Sequence, residues 1–212
     1  GLPTTNATML EVSAMPPLDL ERHLQYLIRY PHGCVEQTTS AAFPQLYLAS
    51  LTKLEDARKI EVENNVQAAI GKLRGFQQPD GAFDYWPGGF NAGFNEREAW
   101  STNYVGHFIV EAKNLGFQLP PTMLTDWVRF QKAAAQAWSN GEASATLNQA
   151  YRLYTLALAS QPELGAMNRL REITNLPTAA RWMLAAAYQL AGQKEVANQL
   201  AKGDPLNLSH YT

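Results

Sequence analysis

The chain contains few of the residues that make covalent cross-links and metal sites. Cys34 is the one cysteine among 212 residues, so a disulfide within the chain is excluded. The four histidines show no metal-ligand spacing, and we therefore expect neither a metal nor a cofactor. Neither sign of charge dominates, with 17 Lys and Arg against 19 Asp and Glu, and the basic stripe typical of nucleic-acid-binding proteins is missing.

Long apolar runs are also missing from the sequence. No run approaches the roughly 20 residues that a membrane-spanning helix needs, and the first residues lack the pattern of a signal peptide. Because the chain starts at Gly1 and stops at Thr212 without a helix cap, we expect it to be a segment of a longer protein. Its composition, 46% hydrophobic and 17% charged, is typical of a folded globular domain.

The first residues differ in pattern from the rest of the chain. Ala7–Met15 alternates in part between apolar and polar residues, and Pro16-Pro17 follows it. We interpret residues 1–17 as a short strand and linker from a preceding β domain. Residues 18–212 show helical periodicity almost throughout, and they are predicted to form an all-α domain that is truncated at its C-terminus.

The helical part contains helices of two kinds. Leu147–Ala159 and Ala179–Leu190 are apolar on nearly every face, as buried helices are, whereas Thr122–Ser139 is amphipathic. This alternation predicts helical hairpins in an inner and an outer layer, which is an α/α toroid. Pro44 is expected to kink or break its helix. The helices predicted besides Thr122–Ser139 are Leu20–Ile28, Glu36–Leu51, Val66–Phe76, Ser101–Gly116, Ala145–Ser160, Glu163–Thr174, Thr178–Leu190 and Lys194–Lys202.

Cys34 and Gln37 have a spacing that allows an internal thioester to form. Side chains three residues apart on a helical turn are neighbours, so the Cys34 thiolate can displace ammonia from the Gln37 amide. Gly33 permits a tight turn just before the cysteine. The spacing alone is common by chance, and the surrounding residues decide how much it means.

Those residues resemble the thioester motif of the α2-macroglobulin and complement family, Gly-Cys-x-Glu-Gln, and the bacterial branch most of all. The stretch reads Tyr30-Pro31-His32-Gly33-Cys34-Val35-Glu36-Gln37-Thr38-Thr39-Ser40. Two more segments are similar to the family's Gln-x-x-Asp-Gly-x-Phe and Trp-x-Thr-x-Tyr-Val elements. They are Phe76-Gln77-Gln78-Pro79-Asp80-Gly81-Ala82-Phe83 and Trp100-Ser101-Thr102-Asn103-Tyr104-Val105.

The resemblance implies the α/α toroid that the helix pattern also predicts. It further implies that the parent is a protease inhibitor and not an enzyme. After a protease cuts a bait region, the thioester is exposed, a lysine or hydroxyl of the target attacks the Gln37 carbonyl, and Cys34 is released. The expected partners are target proteases and other domains of the same chain, with no nucleic acid and no membrane insertion by this segment. The expected location is the periplasm or the cell surface, as a membrane-anchored lipoprotein.

Three further residues are candidates by the same resemblance. Glu36 either caps the helix or forms a hydrogen bond near the thioester. The Tyr30 ring either shields the bond or packs at the helix end. Asn148, in Leu147-Asn148-Gln149, stands where complement proteins have a histidine that accepts the acyl group, and an amide cannot act as nucleophile or base there. Amines are then the preferred targets.

Several other residues have two open interpretations. His32 is either a proton carrier or an exposed turn residue, and the second is favoured. His107 lies on an apolar helix and is favoured as a satisfied core or groove histidine. The aromatic residues around the glycine-rich loop either pack against the toroid or form a lid over the thioester, and they are Phe83, Trp86, Phe90, Phe94 and Trp100.

Two alternative functions remain open. Gln77-x-x-x-Gly81-x-Phe83 also looks like the glutamine-aromatic repeat of triterpene cyclases, which share the toroid. An isoprenoid enzyme needs an aspartate-rich acid motif or a zinc site, and the sequence has neither. The other alternative is a structural or adhesive helical module with an inactive thioester motif. An intact mass discriminates them, because a thioester leaves the chain lighter by one ammonia.

Overall fold

A computed structural model describes residues 24–88, 96–139 and 143–202 of the chain. The predicted strand over Ala7–Met15 and the domain boundary at residue 17 lie outside the described residues. The described helices are α1 (Val35–Ala42), a 3₁₀ helix (Phe43–Tyr47), α2 (Leu48–Leu51), α3 (Asp56–Arg74), α4 (Glu96–Asn114), α5 (Met123–Ala137), α6 (Ala143–Leu158), α7 (Leu164–Arg171), α8 (Thr178–Leu190) and α9 (Lys194–Ala201).

The helices form two layers. In the inner layer α1 packs on α4, α4 on α6, and α6 on α8. Each inner helix is followed by an outer helix that packs against it, and these outer helices are α3, α5, α7 and α9. This arrangement of helical hairpins confirms the predicted all-α class and the α/α toroid.

The two apolar helices of the sequence pack against each other. Leu153 and Leu156 of α6 pack with Leu184 and Tyr188 of α8, and all four side chains are buried. Helix α6 is buried on most faces, as its apolar pattern predicts, whereas α8 keeps an exposed face that carries Trp182, 41% exposed, and Leu190, 48% exposed. The two inner helices therefore form the centre of this half of the domain.

Trp127 organises the other half of the core. Its side chain is fully buried between α5 and α4, and its indole N–H donates to the Thr102 carbonyl at 2.9 Å. A Cβ at Gly106 would overlap the indole ring. Glycine at this position therefore allows α5 to approach α4 with a large aromatic side chain between them.

Helices α3 and α4 begin earlier than predicted, whereas the break at Pro44 is as expected. Pro44 does interrupt its helix, because α1 ends at Ala42 and a 3₁₀ helix containing Pro44 follows. By contrast, α3 begins at Asp56 and not at Val66. Its first turns are polar and carry the ion pairs Arg58–Glu61 and Lys59–Asp56, so apolar periodicity does not reveal them.

Candidate functional site

Cys34 and Gln37 occupy the same turn at the start of α1. Cys34 is the N-cap residue and is 4% exposed. The Gln37 side-chain carbonyl oxygen accepts a hydrogen bond from the Cys34 N–H at 3.2 Å, and the pair forms a capping box. The glutamine side chain thus folds back toward the cysteine, and the two groups that a thioester would join lie in one helical turn.

Gly33 makes room for this arrangement. Its φ of +89° is in the region that favours glycine. A Cβ at Gly33 would overlap Gln37 Oε1 and lie 2.9 Å from Gln37 Cδ. Gln37 Cδ is the carbon that a nucleophile would attack in an acyl transfer. The Thr39 hydroxyl donates to the Val35 carbonyl at 2.7 Å and helps fix the same turn. The motif glycine therefore serves both the backbone turn and the close packing of the reacting amide.

The second matched motif folds into a loop that is fixed to α4 and α5. The Phe83 N–H donates to the Thr102 hydroxyl at 3.0 Å, and the Gln77 amide donates to the Met123 carbonyl at 2.9 Å. Gly81, at φ +106°, packs so closely on α5 that a Cβ there would overlap Asp126. These contacts attach the loop to α4 and α5, and they determine where its next residues lie.

The loop brings Tyr85 to the start of α1. The Val35 N–H, one of the donors that a helix start leaves free, donates to the Tyr85 carbonyl at 3.2 Å. The Tyr85 hydroxyl donates to Glu36 Oε2 at 2.8 Å. The hydrogen bond to Glu36 is the largest cause that raises the pKa of Tyr85, to about 12. Tyr85 is therefore part of the site. The sequence analysis did not identify it, because the one indication in the sequence was that Tyr85 comes two residues after Phe83 of the matched motif.

Tyr30 lies at the edge of a cleft beside Gln37. The cleft has a volume of about 470 Å³, and Tyr30, His32, Gly33, Gln37 and Ser40 are among the residues that line it. Tyr30 is 48% exposed, and its ring lies against the His32 ring at a tilt of 56°, with 4.9 Å between ring centroids. His32 is an exposed turn residue, as the sequence favoured. The Cys34 side of the pair is thus buried, while the Gln37 side opens to a cleft that a nucleophile can enter.

Asn148 lies in the second turn of α6 and is buried. Its main-chain carbonyl accepts a hydrogen bond from the Asn103 amide of α4 at 3.0 Å. The Asn103 side-chain oxygen accepts a hydrogen bond from the Gln131 amide, and the Gln131 oxygen accepts one from Arg152. Burial lowers the pKa of the Arg152 guanidinium to about 10. These contacts anchor the Asn148 backbone to α4, the helix on which α1 also packs. Its selectivity role stays a prediction.

His107 lies in α4, away from the start of α1, and is mostly buried. Its Nδ1 is 3.0 Å from the Tyr151 hydroxyl, and its Nε2 is 3.8 Å from Glu111 Oε1. Burial lowers the pKa of His107, and the Glu111 charge opposes that effect. His107 is thus a satisfied groove histidine, as the sequence favoured.

The aromatic residues of the loop region have different surroundings. Phe83 is fully buried in the core, whereas Trp86 and Trp100 are 57% and 37% exposed. Phe90 and Phe94 lie outside the described residues. Of the two interpretations, packing against the toroid therefore applies to Phe83. Trp86 is exposed next to Tyr85, with 6.2 Å between the two ring centroids.

The described part of the chain has neither a metal-binding cluster nor a membrane-spanning helix. Within residues 24–88, 96–139 and 143–202, no group of three or more His, Cys, Asp or Glu side chains could hold a metal ion. In the same ranges no helix has the length and apolar character to cross a membrane.

Known proteins similar to this chain are bacterial α-2-macroglobulins. That of Escherichia coli (strain K12) is 29% identical over 186 residues, which cover 80% of this chain and 11% of the relative. That of Xylella fastidiosa (strain Temecula1) is 27% identical over 183 residues, with the same two coverages. The chain thus spans 11% of the length of these curated relatives.

Solved structures of the same proteins share the fold. Native E. coli α-2-macroglobulin, from domain MG7 to the C-terminus, matches with a TM-score of 0.70 and 26% identity, covering 89% of this chain and 31% of that chain. Salmonella α-2-macroglobulin reacted with methylamine matches with a TM-score of 0.70 and 27% identity, covering 88% and 13%. A family model described as the A-macroglobulin TED domain matches residues 8–145, which is more than half of the chain. The chain therefore belongs to the family of A-macroglobulin TED domains.

Proposed function

We propose that this chain is the thioester domain of a protease inhibitor that captures attacking proteases covalently. Proteins of the α-2-macroglobulin family function as protease inhibitors. The observation that carries the proposal is the turn in which Gln37 folds back on Cys34, with a 3.2 Å hydrogen bond between Gln37 Oε1 and the Cys34 N–H. A purely structural helix start does not require a buried cysteine opposite a glutamine amide.

The proposed chemistry has two steps. First the Cys34 sulfur attacks Gln37 Cδ, a C–S bond forms, and ammonia leaves. Later an amine attacks the same carbon, a C–N bond forms, and the C–S bond breaks. The sulfur takes a proton in place of the one that the amine loses, so Cys34 becomes a free thiol. Burial of Cys34 protects the bond until a rearrangement of the parent opens the site.

Two neighbours are assigned supporting roles. Tyr30, at the edge of the cleft beside Gln37, shields the acyl carbon until the parent rearranges. Asn148 occupies the position where a histidine would accept the acyl group, so the incoming nucleophile attacks directly. Amines then react in preference to hydroxyls, because an amine is the stronger nucleophile toward a thioester.

The proposed partners are proteases and other domains of the parent. Structures of E. coli α-2-macroglobulin have been obtained in forms activated by trypsin and by porcine elastase. By extension, this chain's parent is cut by a protease and then captures it through Gln37. We place the parent in the periplasm or at the cell surface, anchored to a membrane, where it meets foreign proteases.

The test uses methylamine on the native protein that contains this chain. We expect a mass lower by one ammonia before treatment, and one new thiol with a methylamide at Gln37 after it. Cys34→Ala should remove both signals and retain the helical circular dichroism spectrum. An unmodified mass and an unchanged thiol count in the folded native protein would contradict the proposal, and would indicate a structural module with an inactive motif.

A further inference from the structure

The cleft beside Gln37 extends along one face of α1 and the turn that follows it. The residues on this side of the cleft are Gln37, Ser40, Ala41 and Pro44. Spacings of three, four and seven residues place them on a single helical face. Seven residues of helix rise by about 10 Å, so the cleft begins at the Gln37 side chain and leads away from it for about two turns.

The segment before α1 forms the other wall of the cleft. The lining residues that it contributes are Leu27, Arg29, Tyr30, His32 and Gly33. The volume between the two walls, about 470 Å³, is within the range of small-molecule binding sites. It exceeds what one short amine fills, so a longer chain attached to the attacking nitrogen has room beside Gln37.

A buried glutamine fixes the two walls relative to each other. Gln45 is 1% exposed, and its amide donates to the Arg29 carbonyl and to the Ala41 carbonyl, both at 2.8 Å. Asn65 of α3 in turn donates to Gln45 Oε1 at 3.0 Å. Because these buried groups would lose their hydrogen bonds if the walls moved apart, the cleft is a built feature of the fold.

The chemistry of the walls favours an uncharged aliphatic group. Leu27, Ala41 and Pro44 are aliphatic, and among the described residues that line the cleft none is an aspartate or glutamate. A carboxylate here would hold an entering amine in its ammonium form, which is not a nucleophile. Apolar walls beside the Arg29 cation instead favour the neutral amine, which is the form that attacks a thioester.

We propose that this cleft is a subsite for the aliphatic stem of the attacking amine, which makes straight-chain primary amines the preferred substrates. The inference rests on the proposed function, because it names the substrate class of the same acyl transfer. When the amine nitrogen bonds to Gln37 Cδ and the C–S bond breaks, the carbon chain behind the nitrogen lies along Ala41 and Pro44. A four-carbon chain, as in a lysine side chain, fits within the two turns.

Burial of the stem accelerates the reaction. The amine comes from dilute solution, so contacts that form as it reaches Gln37 stabilise the transition state relative to the free amine. Complete removal of one methylene from water corresponds to a factor of about 4, and an open cleft buries each methylene in part. We therefore expect the second-order rate of thiol release to rise by about two- to fourfold for each added methylene.

The test is a series of amines on the native protein that contains this chain. Thioester occupancy is first measured by intact mass, and thiol release is then timed with methylamine, ethylamine, n-propylamine and n-butylamine, whose amino groups have almost the same basicity. Each rate is divided by the rate of the same amine with a small thioester in solution, which removes intrinsic reactivity. We expect n-butylamine to react about 10- to 50-fold faster than methylamine on this corrected scale.

Variants of the walls locate the preference in the cleft. Ala41→Leu fills the space beside Gln37 and should lower the ratio of the n-butylamine rate to the methylamine rate toward one. Ala179→Leu is the matched control, because Ala179 is exposed on α8, and it should keep the wild-type ratio. Leu27→Asn makes one wall polar and should also lower the ratio, so it decides if Ala41→Leu does not fold.

Two results would overturn the subsite and leave the thioester proposal intact. One is a corrected rate that stays constant or falls with chain length in a protein that releases its thiol with methylamine. The other is a wild-type ratio of rates in folded Ala41→Leu and Leu27→Asn, which would show that the preference arises elsewhere. A wild-type protein without any thioester would instead remove the proposed function itself.

Discussion

The Lys72 ammonium lies 4.5 Å from the centre of the Tyr30 ring, and the same nitrogen donates to the Pro31 carbonyl at 2.7 Å. Lys72 comes from the outer helix α3, so one outer-layer side chain holds the segment that leads into the turn of Cys34 and Gln37. A cation over an aromatic face at a partly exposed site contributes about 0.5–1 kcal/mol. The orientation of Tyr30 beside Gln37 therefore depends on the layer behind it.

Lys72→Met should loosen Tyr30 and expose the acyl carbon. We expect thiol to appear spontaneously a few times faster than in the wild-type native protein, because both contacts of the ammonium are lost. Lys72→Arg keeps a cation over the ring and should retain most of the protection. Thiol titration over time measures both, and equal rates in all three proteins would show that Tyr30 does not depend on Lys72.

Gly33→Ala should prevent the thioester from forming in a protein that still folds. The new Cβ would overlap the folded-back Gln37 amide, and the positive φ adds about 1–2 kcal/mol of strain. Gly88→Ala is the matched control, since Gly88 also has a positive φ of +67° but nothing within 4 Å of its added Cβ. Intact mass should show the loss of ammonia in Gly88→Ala and not in Gly33→Ala.

Gly106→Ala should destabilise the domain. Its Cβ would overlap the Trp127 indole, and forced overpacking of this kind costs about 1–3 kcal/mol. Gly71→Ala provides the contrast, because Gly71 lies in helix α3 with open space around its added Cβ, and alanine there should stabilise by about 0.5–1 kcal/mol. Urea midpoints of the two variants should move in opposite directions, and a neutral Gly106→Ala would show that the helices can separate without cost.

The helices could be predicted from the sequence because inner and outer layers bury different fractions of their surface. Thr178–Leu190 was predicted with the bounds that α8 has, and Pro44 interrupts its helix as expected. The polar first turns of α3 were missed, since i,i+3 ion pairs such as Arg58–Glu61 leave no apolar period. An apolar period in the sequence reveals a buried helix face, and a helical turn that is exposed all round has no such period.

At the candidate site, the sequence analysis predicted that Cys34 and Gln37 lie together, but it did not identify Tyr85 beside them. Cys34 and Gln37 are three residues apart, so local helical geometry is enough to place them together. Tyr85 reaches them only through the Gln77–Phe83 turn and its bonds to α4 and α5, which are contacts between residues distant in sequence. Without those contacts Tyr85 is one aromatic residue among several in a loop.

His107 should make the stability of the domain depend on pH. Burial lowers its pKa in the folded state, so the unfolded chain binds more protons once the pH falls below about 6.5, the ordinary histidine value. The histidine contribution is therefore present above that pH and is lost as the pH falls toward the folded pKa. Glu111 opposes the effect, while the Tyr151 hydroxyl and Phe43 ring lie against the imidazole.

His107→Gln keeps a polar partner for Tyr151 and cannot titrate. We expect its melting temperature to fall less than that of the wild type between about pH 7 and about pH 5. His32→Gln is the control for the loss of a histidine, because His32 is exposed. Parallel melting curves for His107→Gln and the wild type over this range would show that His107 is protonated equally in both states.

Asn148→His should shift capture from amines toward hydroxyls. The Asn148 backbone is anchored to α4 through Asn103, so a new imidazole there would be presented from a fixed helix and not from a mobile loop. If it reaches the Gln37 carbonyl, it can accept the acyl group and then pass it to a hydroxyl or to water. Asn148→Gln keeps an amide and controls for the larger side chain. The measurement compares glycerol with methylamine incorporation at Gln37 in the activated native protein, and an unchanged ratio in Asn148→His would show that position 148 does not face the thioester.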